Sequence, residues 1–247
     1  MTSPLVSLAK SYPGERPGSY VTRGGEITPI RASLGDLLRG SRLRPLLAYG
    51  SNASPPHLGR KLARAGIDAP ITILRARLCD YDVVYSAHVS RLGSIPATIE
   101  PLPGCLAPVY VMLLPSADAQ AAIHATEIPH YGAGVVRGMR VVLEDGTAVE
   151  APEIFLSVNG SLLLEGRPVG LAAIASMQSP IARLSETEIL ARVFPLLGLG
   201  KNLDGAIARL QDSPDLRRAC SEKLAASSGR PALIAFDKNI PSWESVA

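Results

Sequence analysis

Hydrophobic and polar positions follow two periods along this chain, and the places where one gives way to the other divide it. Up to about residue 44 neither period holds. Pro13-Gly14, Pro17-Gly18 and Gly24-Gly25 set turn-formers too close together for a long regular element. Residues 1–44 are therefore expected as an extended arm packing along the body through Tyr20, Val21, Ile27 and Ile30, the first dozen residues being either part of it or a disordered tail. From Pro45 the pattern sharpens. Leu46-Leu47-Ala48-Tyr49 reads as a short buried strand running directly into Gly50-Ser51-Asn52. A helix follows: Pro55-Pro56 sit in the first turn, where backbone N–H groups have no helical partner, Leu58, Leu62 and Ala63 recur at helical spacing, and Gly66 is the stop. Strand patterns are expected at 71–78, 81–86, 97–99 and 109–114. A second helix opens at Ser116 and Asp118, carries Ala119, Ala122, Ile123 and Thr126, and ends at Glu127 before Pro129.

Residues 135–143 and 148–157 are β-rich runs separated by Asp145-Gly146, a pair that supplies the positive φ angles of a tight turn, so they predict a long hairpin. Glu165-Gly166 marks a second, shorter one. Beyond about Pro180 the period becomes helical. Ser185-Glu186-Thr187-Glu188 reads as a capping box ahead of Ile189, Leu190, Val193 and Phe194, and residues 202–226 read as one or two amphipathic helices. Residues 232–236 return to a strand pattern, and Trp243, with Ile240 and Pro241, is expected to anchor the tail. The chain thus divides into an arm (1–44), a core (45–176) and a helical C-terminal extension (177–247).

Composition narrows the classes of function. A chain of 247 residues with 47% hydrophobic and 19% charged positions is too apolar for intrinsic disorder. Its 25 basic residues against 22 acidic ones are spread without a run of like charge, so neither nucleic acid nor an anionic membrane is indicated as a partner. Cys79, Cys105 and Cys220 are widely spaced, with no zinc-type pair nearby, so no metal is expected, and Cys79 and Cys105 read as small buried apolar residues. There is no leader-like N-terminus and no apolar run of about 18 residues, so a cytoplasmic protein is expected. Scarce lysine beside abundant Ala, Leu and Arg is the habit of a GC-rich bacterial genome.

Two groups carry candidate chemistry. Tyr49-Gly50-Ser51-Asn52 sits at a strand end before a helix, where successive N–H groups with Ser and Asn side chains make a receptor for an anion or oxyanion. The alternative is an ordinary turn in which Ser51 or Asn52 caps the helix. Glu127 lies four residues after Ile123 and eight after Ala119, on the face that carries the apolar side chains. If it points inward, burial lifts its pKa and fits it for proton transfer near neutrality. The alternative is a helix-end residue in solvent or paired with Arg137 or Arg140. Of the remaining groups, Tyr131 orients either Glu127 or a ligand, or fills the core. His57 and His130 are expected at the surface or in hydrogen bonds, with His130, three residues from Glu127, the candidate of the two for the cleft. Asp82, His88 and Ser86 or Ser90 form a triad on paper, without the turn that exposes a serine nucleophile.

Taken together, a strand ending in Tyr49-Gly50-Ser51-Asn52, a helix with Leu58, Arg60 and Leu62, and a glutamate some 75 residues later followed by Tyr131 resemble the γ-glutamylcyclotransferase-like family. Ala97-Thr98-Ile99-Glu100-Pro101 and the run Cys105 to Leu114 are similar to two strands of that family, although a glycine common in the second is absent. The likeness spans about residues 45–160. Around the glutamate the chain reads Ile123-His124-Ala125-Thr126-Glu127-Ile128, without the family's preceding Leu-Asp and following Gly, so a different loop shape is expected there.

The resemblance implies an α+β fold with a small mixed or closed, barrel-like sheet and flanking helices. It also implies that the Tyr49–Asn52 loop holds a glutamyl head and that Glu127 is the general acid/base. The family reaction is cyclisation: the free α-amine of a γ-glutamyl amide attacks its own γ-carbonyl, giving 5-oxoproline and a released amine without a cofactor. One carboxylate serves both nitrogens, and oriented intramolecular attack reaches effective molarities of about 10⁵ M or more. The expected partner is a small γ-glutamyl or similar amide, with a homodimer as a further expectation. A non-catalytic binding or assembly module, and an amide hydrolase or ligase on the same scaffold, are the alternatives.

Overall fold

The structure, a computed structural model, describes residues 3–228 and the backbone of residues 236–237. Segment 1–44, expected as an extended arm, contains four short elements: helix α1 (Pro4–Lys10), strands β1 (Tyr20–Arg23) and β2 (Glu26–Pro29), and helix α2 (Leu34–Arg39). Ser3 and Ser33 cap the two helices, and Gly24 and Gly25 take positive φ in the hairpin turn between β1 and β2. Strand β3 (Leu46–Ala48) then leads through one 3₁₀ turn (Ser51–Ala53) into α3 (Pro55–Arg64), closed by Gly66 at φ 69°.

The four expected strand segments fuse into two long strands, β4 (Ile71–Tyr85) and β5 (Ala97–Leu113), paired antiparallel along their length. The sequence breaks its strand pattern at the point where the register shifts. Asp80 has φ 65°, the pairing steps from Cys79↔Leu106 to Tyr81↔Pro101, and Gly104 N–H donates to Asp80 Oδ1 at 2.9 Å. Helix α4 (Ala117–Glu127) follows with Ser116 as N-cap.

Next come β6 (Tyr131–Val136), β7 (Arg140–Leu143), β8 (Ala148–Val149) and β9 (Glu153–Ser157). The long hairpin expected around Asp145-Gly146 is replaced by two pairings. Only Val141↔Val149 and Val142↔Ala148 close on that turn, while β6 and β9 pair with each other from Tyr131↔Ser157 to Val135↔Glu153. Positive φ at Gly138 and Ala151 turns the chain out of the hairpin line on both sides. The shorter hairpin forms as expected, from β10 (Leu163–Leu164) and β11 (Arg167–Pro168). Strands β12 (Gly170–Leu171) and β13 (Arg183–Leu184) precede the helices α5 (Glu186–Leu196), α6 (Leu203–Asp212) and α7 (Pro214–Ala226), and β14 (Phe236–Asp237) pairs with β6. The capping box at Ser185 and Glu188 is present. Of the expected strand at 232–236 only Phe236 is described; the rest of it, with Ile240, Pro241 and Trp243, lies outside the described residues.

The molecule is mixed α+β, but its main sheet is large and open rather than a small closed barrel. It runs β13-β12-β4-β5-β3-β9-β6-β14, with β1, β2, β7 and β8 branching from it. One edge of β4 is divided among β1 at Thr72, β7 at Leu78 and β12 at Val84, so the sheet branches where a barrel would close.

Period-2 alternation splits the buried residues between two faces. Leu46, Ala48, Tyr110 and Met112 pack under α3 and α4 with Leu58, Leu62, Ala119 and Ile123. Leu47, Tyr49, Val109 and Val111 face a larger core on the other side, which also takes Val6 and Ala9 of α1, Phe194 of α5, Ile207 of α6 and Leu224 of α7. No helix of the described residues is long and apolar enough to cross a membrane.

Candidate active site

The end of β3 delivers Tyr49 to Asn52 to a cavity of about 440 Å³, a size usual for small-molecule sites. Its wall includes all four residues of that turn together with Glu127, His130 and Tyr131. The capping alternative does not hold. Helix α3 has Ser54 as its N-cap residue with no side-chain cap bond, and neither Ser51 nor Asn52 caps an element. Among the described residues, the backbone N–H groups of Ser51 and Asn52 donate to no acceptor.

Glu127 ends the Ala119–Ile123 stripe of α4, as its spacing predicts, with its side chain 12% exposed. The helix is fixed to the sheet beside it, where Gln120 Nε2 and His124 Nε2 reach Glu153 Oε2 of β9 at 2.8 and 3.2 Å. One carboxylate oxygen, Oε1, accepts from Asn52 Nδ2 at 3.2 Å, Lys61 Nζ at 2.6 Å and Thr126 Oγ1 at 3.2 Å. The turn and the glutamate therefore meet directly, across 75 residues of sequence. Lys61 also donates to Asn52 Oδ1 at 2.5 Å, so it ties both groups.

The expected rise in the Glu127 pKa is reversed. Burial alone pushes the carboxyl up, but the adjacent Lys61 ammonium, with hydrogen bonds from Lys61, Asn52 and Thr126, outweighs it and holds the group below the ordinary carboxylate value. The sequence reading counted burial and missed the cation. Lys61 follows His57 by one helical turn on α3, so a turn-facing stripe containing both was the available signal.

Tyr131 makes no hydrogen bond to Glu127 among the described residues. Its hydroxyl donates to the Ala97 carbonyl at 2.7 Å, and its ring meets His88 edge-on. Tyr49 donates to the Phe155 carbonyl. Burial pushes both phenols well above their usual pKa, so neither is a proton source near neutrality. Gly50 is required by a close approach that the sequence does not reveal: a Cβ there would lie 2.5 Å from Tyr12 Oη, which itself accepts from Ala97 N–H at 2.8 Å. We expect Gly50→Ala to displace Tyr12 and destabilise the fold by about 1–3 kcal/mol, read as a lower urea midpoint. An unchanged midpoint would contradict this packing.

His130 lines the cavity, stacked on His88 at 4.4 Å. His57, expected at the surface or in a hydrogen bond, is instead buried beside the cavity, its Nε2 without a partner among the described residues. Burial, then the charges of Lys61 and Arg60, lowers its pKa to about 4; burial also lowers His88 and His130, each with a smaller contribution from nearby positive or imidazole charge. All three imidazoles are thereby biased toward the neutral form. The paper triad does not assemble. Ser86 Oγ contacts His88 Nδ1 at 2.8 Å but is fully buried, and Asp82 is occupied elsewhere by Arg183 at 2.7 Å. Among the described residues no group of three or more His, Cys, Asp or Glu side chains is placed to hold a metal ion.

The terminal segments contribute groups that sequence reasoning did not foresee. Tyr12 lies on the cavity wall from the N-terminal side and Arg217 of α7 from the C-terminal side. Ser221 Oγ of α7 accepts from Val89 N–H at 3.0 Å, and Gln211 Nε2 of α6 donates to the Leu92 carbonyl at 2.9 Å, so these helices fix the 88–94 loop of the wall. Comparison with known proteins finds no matching family model, no matching curated protein and no matching solved structure.

Proposed function

We propose that the chain is a γ-glutamylcyclotransferase-like enzyme that cyclises a γ-glutamyl amide to 5-oxoproline and releases an amine. The observation that carries this reading is the meeting of the Glu127 carboxylate with the Gly50–Asn52 turn on one cavity wall, where the N–H groups of Ser51 and Asn52 lack acceptors among the described residues. In the reaction the substrate α-nitrogen bonds to the γ-carbon, the carbonyl oxygen becomes an oxyanion, and the bond to the leaving nitrogen breaks. The N–H groups of Ser51 and Asn52 and the Ser51 hydroxyl are suited to the oxyanion. Glu127 takes one proton as the substrate ammonium becomes the attacking amine and a second as the lactam forms, and both pass to the leaving nitrogen, which departs as an ammonium.

Lys61 fits this scheme as a partner exchanged on binding. A substrate α-carboxylate draws the ammonium away, and Glu127 then receives the substrate α-ammonium in its place. The same ion pair is what favours the alternative, a non-catalytic module in which Glu127 only ties α4 to α3. Incubation with a panel of γ-glutamyl amides separates them: 5-oxoproline detected by mass spectrometry supports the enzyme, and no product across the panel overturns it. An open-chain glutamate product would mark hydrolysis instead.

A pH dependence follows. The reactive form is the carboxylate, whose pKa is held down by Lys61, so kcat/KM falls only on the acid side of the ordinary carboxylate value. In Lys61→Met burial acts unopposed by that cation, and the acidic limb of the profile moves to higher pH. A limb that stays in place would contradict the role given to Lys61.

A further inference from the structure

The cavity wall carries an unbalanced charge. Arg60 and Arg64 of α3, Lys61 between them, Arg91 of the 88–94 loop and Arg217 of α7 all border it, and Glu127 is the one carboxylate among its described lining residues. Lys61 is already committed to that carboxylate. The four arginines are not. Among the described residues Arg60, Arg64 and Arg91 make no hydrogen bond or ion pair, and Arg217 is held only through Nη1, which donates to the carbonyls of Leu210 and Gln211. Neighbouring imidazoles add no counter-charge.

These guanidinium groups converge from three separate parts of the chain and feel one another. The Arg64 pKa is lowered by partial burial and then by the charges of Arg91 and Arg60, and that of Arg217 by burial and then by Arg91. Arg60 and Arg64, one helical turn apart, repel within α3. The C-terminal helices hold the arrangement together, since α7 carries Arg217 and, with α6, anchors the loop that bears Arg91. Arginine clusters of this kind match the oxygen geometry of phosphates and carboxylates.

Building on the proposed cyclisation, we infer that the amine released from this site bears at least two negative charges, as phosphate or as paired carboxylates, and that Arg60, Arg64, Arg91 and Arg217 receive them. The glutamyl head then occupies the Tyr49–Asn52 end and the anionic amine the arginine-lined mouth. This gives the C-terminal extension a function: it completes the mouth of the cavity and selects the leaving group.

Binding tests the inference independently of catalysis. Calorimetry with O-phosphoethanolamine (phosphate), 3-aminoglutarate (paired carboxylates without an α-amino acid head) and ethanolamine (no anion) should show at least one of the two anionic amines binding the full chain ten-fold or more tightly than ethanolamine. The more tightly bound one identifies the anion. In Arg64→Gln/Arg91→Gln, both at exposed positions, that ratio should fall at least ten-fold and lose its dependence on salt. The ratio of kcat/KM between the matching anionic and neutral γ-glutamyl amides should fall in parallel. Equal binding of all three amines, or a ratio untouched by the double substitution, overturns the inference. If the anionic amine binds as stated but no amide yields 5-oxoproline, the anion site stands and the cyclisation fails. If 5-oxoproline forms without preference for an anionic amine, the cyclisation stands and the anion site fails.

Discussion

Glu127→Gln is expected to fold normally and to lose turnover by about 10³-fold or more, the upper part of the range for removal of a general acid/base. The amide oxygen of Gln keeps an acceptor for Lys61 Nζ and Asn52 Nδ2, whose bonds both fall on Oε1 in the native chain, so the geometry survives while the proton-carrying function does not. The measurement is kcat for 5-oxoproline release, with the urea midpoint as a check on folding. An unfolding free energy within about 2 kcal/mol of the native value together with near-native kcat would remove Glu127 from the chemistry. A large loss of both would make it the structural tie between α3 and α4.

The second large effect lies away from the cavity. Asp82 is fully buried in β4 and accepts from Arg183 Nη2 at 2.7 Å, Ser176 Oγ at 2.6 Å and the Ser179 hydroxyl. Arg183 Nη1 in turn donates to the Ile174 carbonyl at 2.8 Å. The cluster fastens residues 174–183, which contain little regular structure, against the long hairpin. Asp82→Ala leaves a largely buried guanidinium without its counter-charge and two hydroxyls without their acceptor, so a loss of about 3–5 kcal/mol is expected. This corresponds to a urea midpoint lower by about 1–2 M. Asp82→Ala/Arg183→Met removes the stranded charge and should recover part of that loss. A change below about 1 kcal/mol in Asp82→Ala would contradict the role given to Asp82 as the counter-charge of Arg183.

These two residues also mark what the sequence discloses. Local signals were legible: the Pro55-Pro56 start of α3, the Ser116 cap of α4, the Asp145-Gly146 and Glu165-Gly166 turns and the Ser185–Glu188 capping box each depend on residues within one turn of one another. So was the inward register of Glu127, because helical spacing from Ala119 and Ile123 fixes it. Pairings between distant segments were not legible. The joining of β6 to β9 in place of a long hairpin, the sharing of one β4 edge by three strands, and the approach of Tyr12 to Gly50 depend on chain path rather than on local pattern. The same holds for electrostatics. Burial of Glu127 followed from spacing, but the sign of its pKa shift depended on Lys61, 66 residues earlier. Likewise, arginines that look dispersed along the chain are gathered at one mouth by the fold.

If Glu127 and the Tyr49–Asn52 turn enclose one glutamyl-sized guest, as proposed, a crystal structure of the protein with 5-oxoproline will show the ring in that gap, its lactam oxygen within hydrogen-bond reach of the Ser51 or Asn52 N–H and its ring nitrogen against the Glu127 carboxylate, with Lys61 moved to the product carboxylate. Product bound outside the cavity, or a gap still bridged by Lys61 at saturating product, would contradict it.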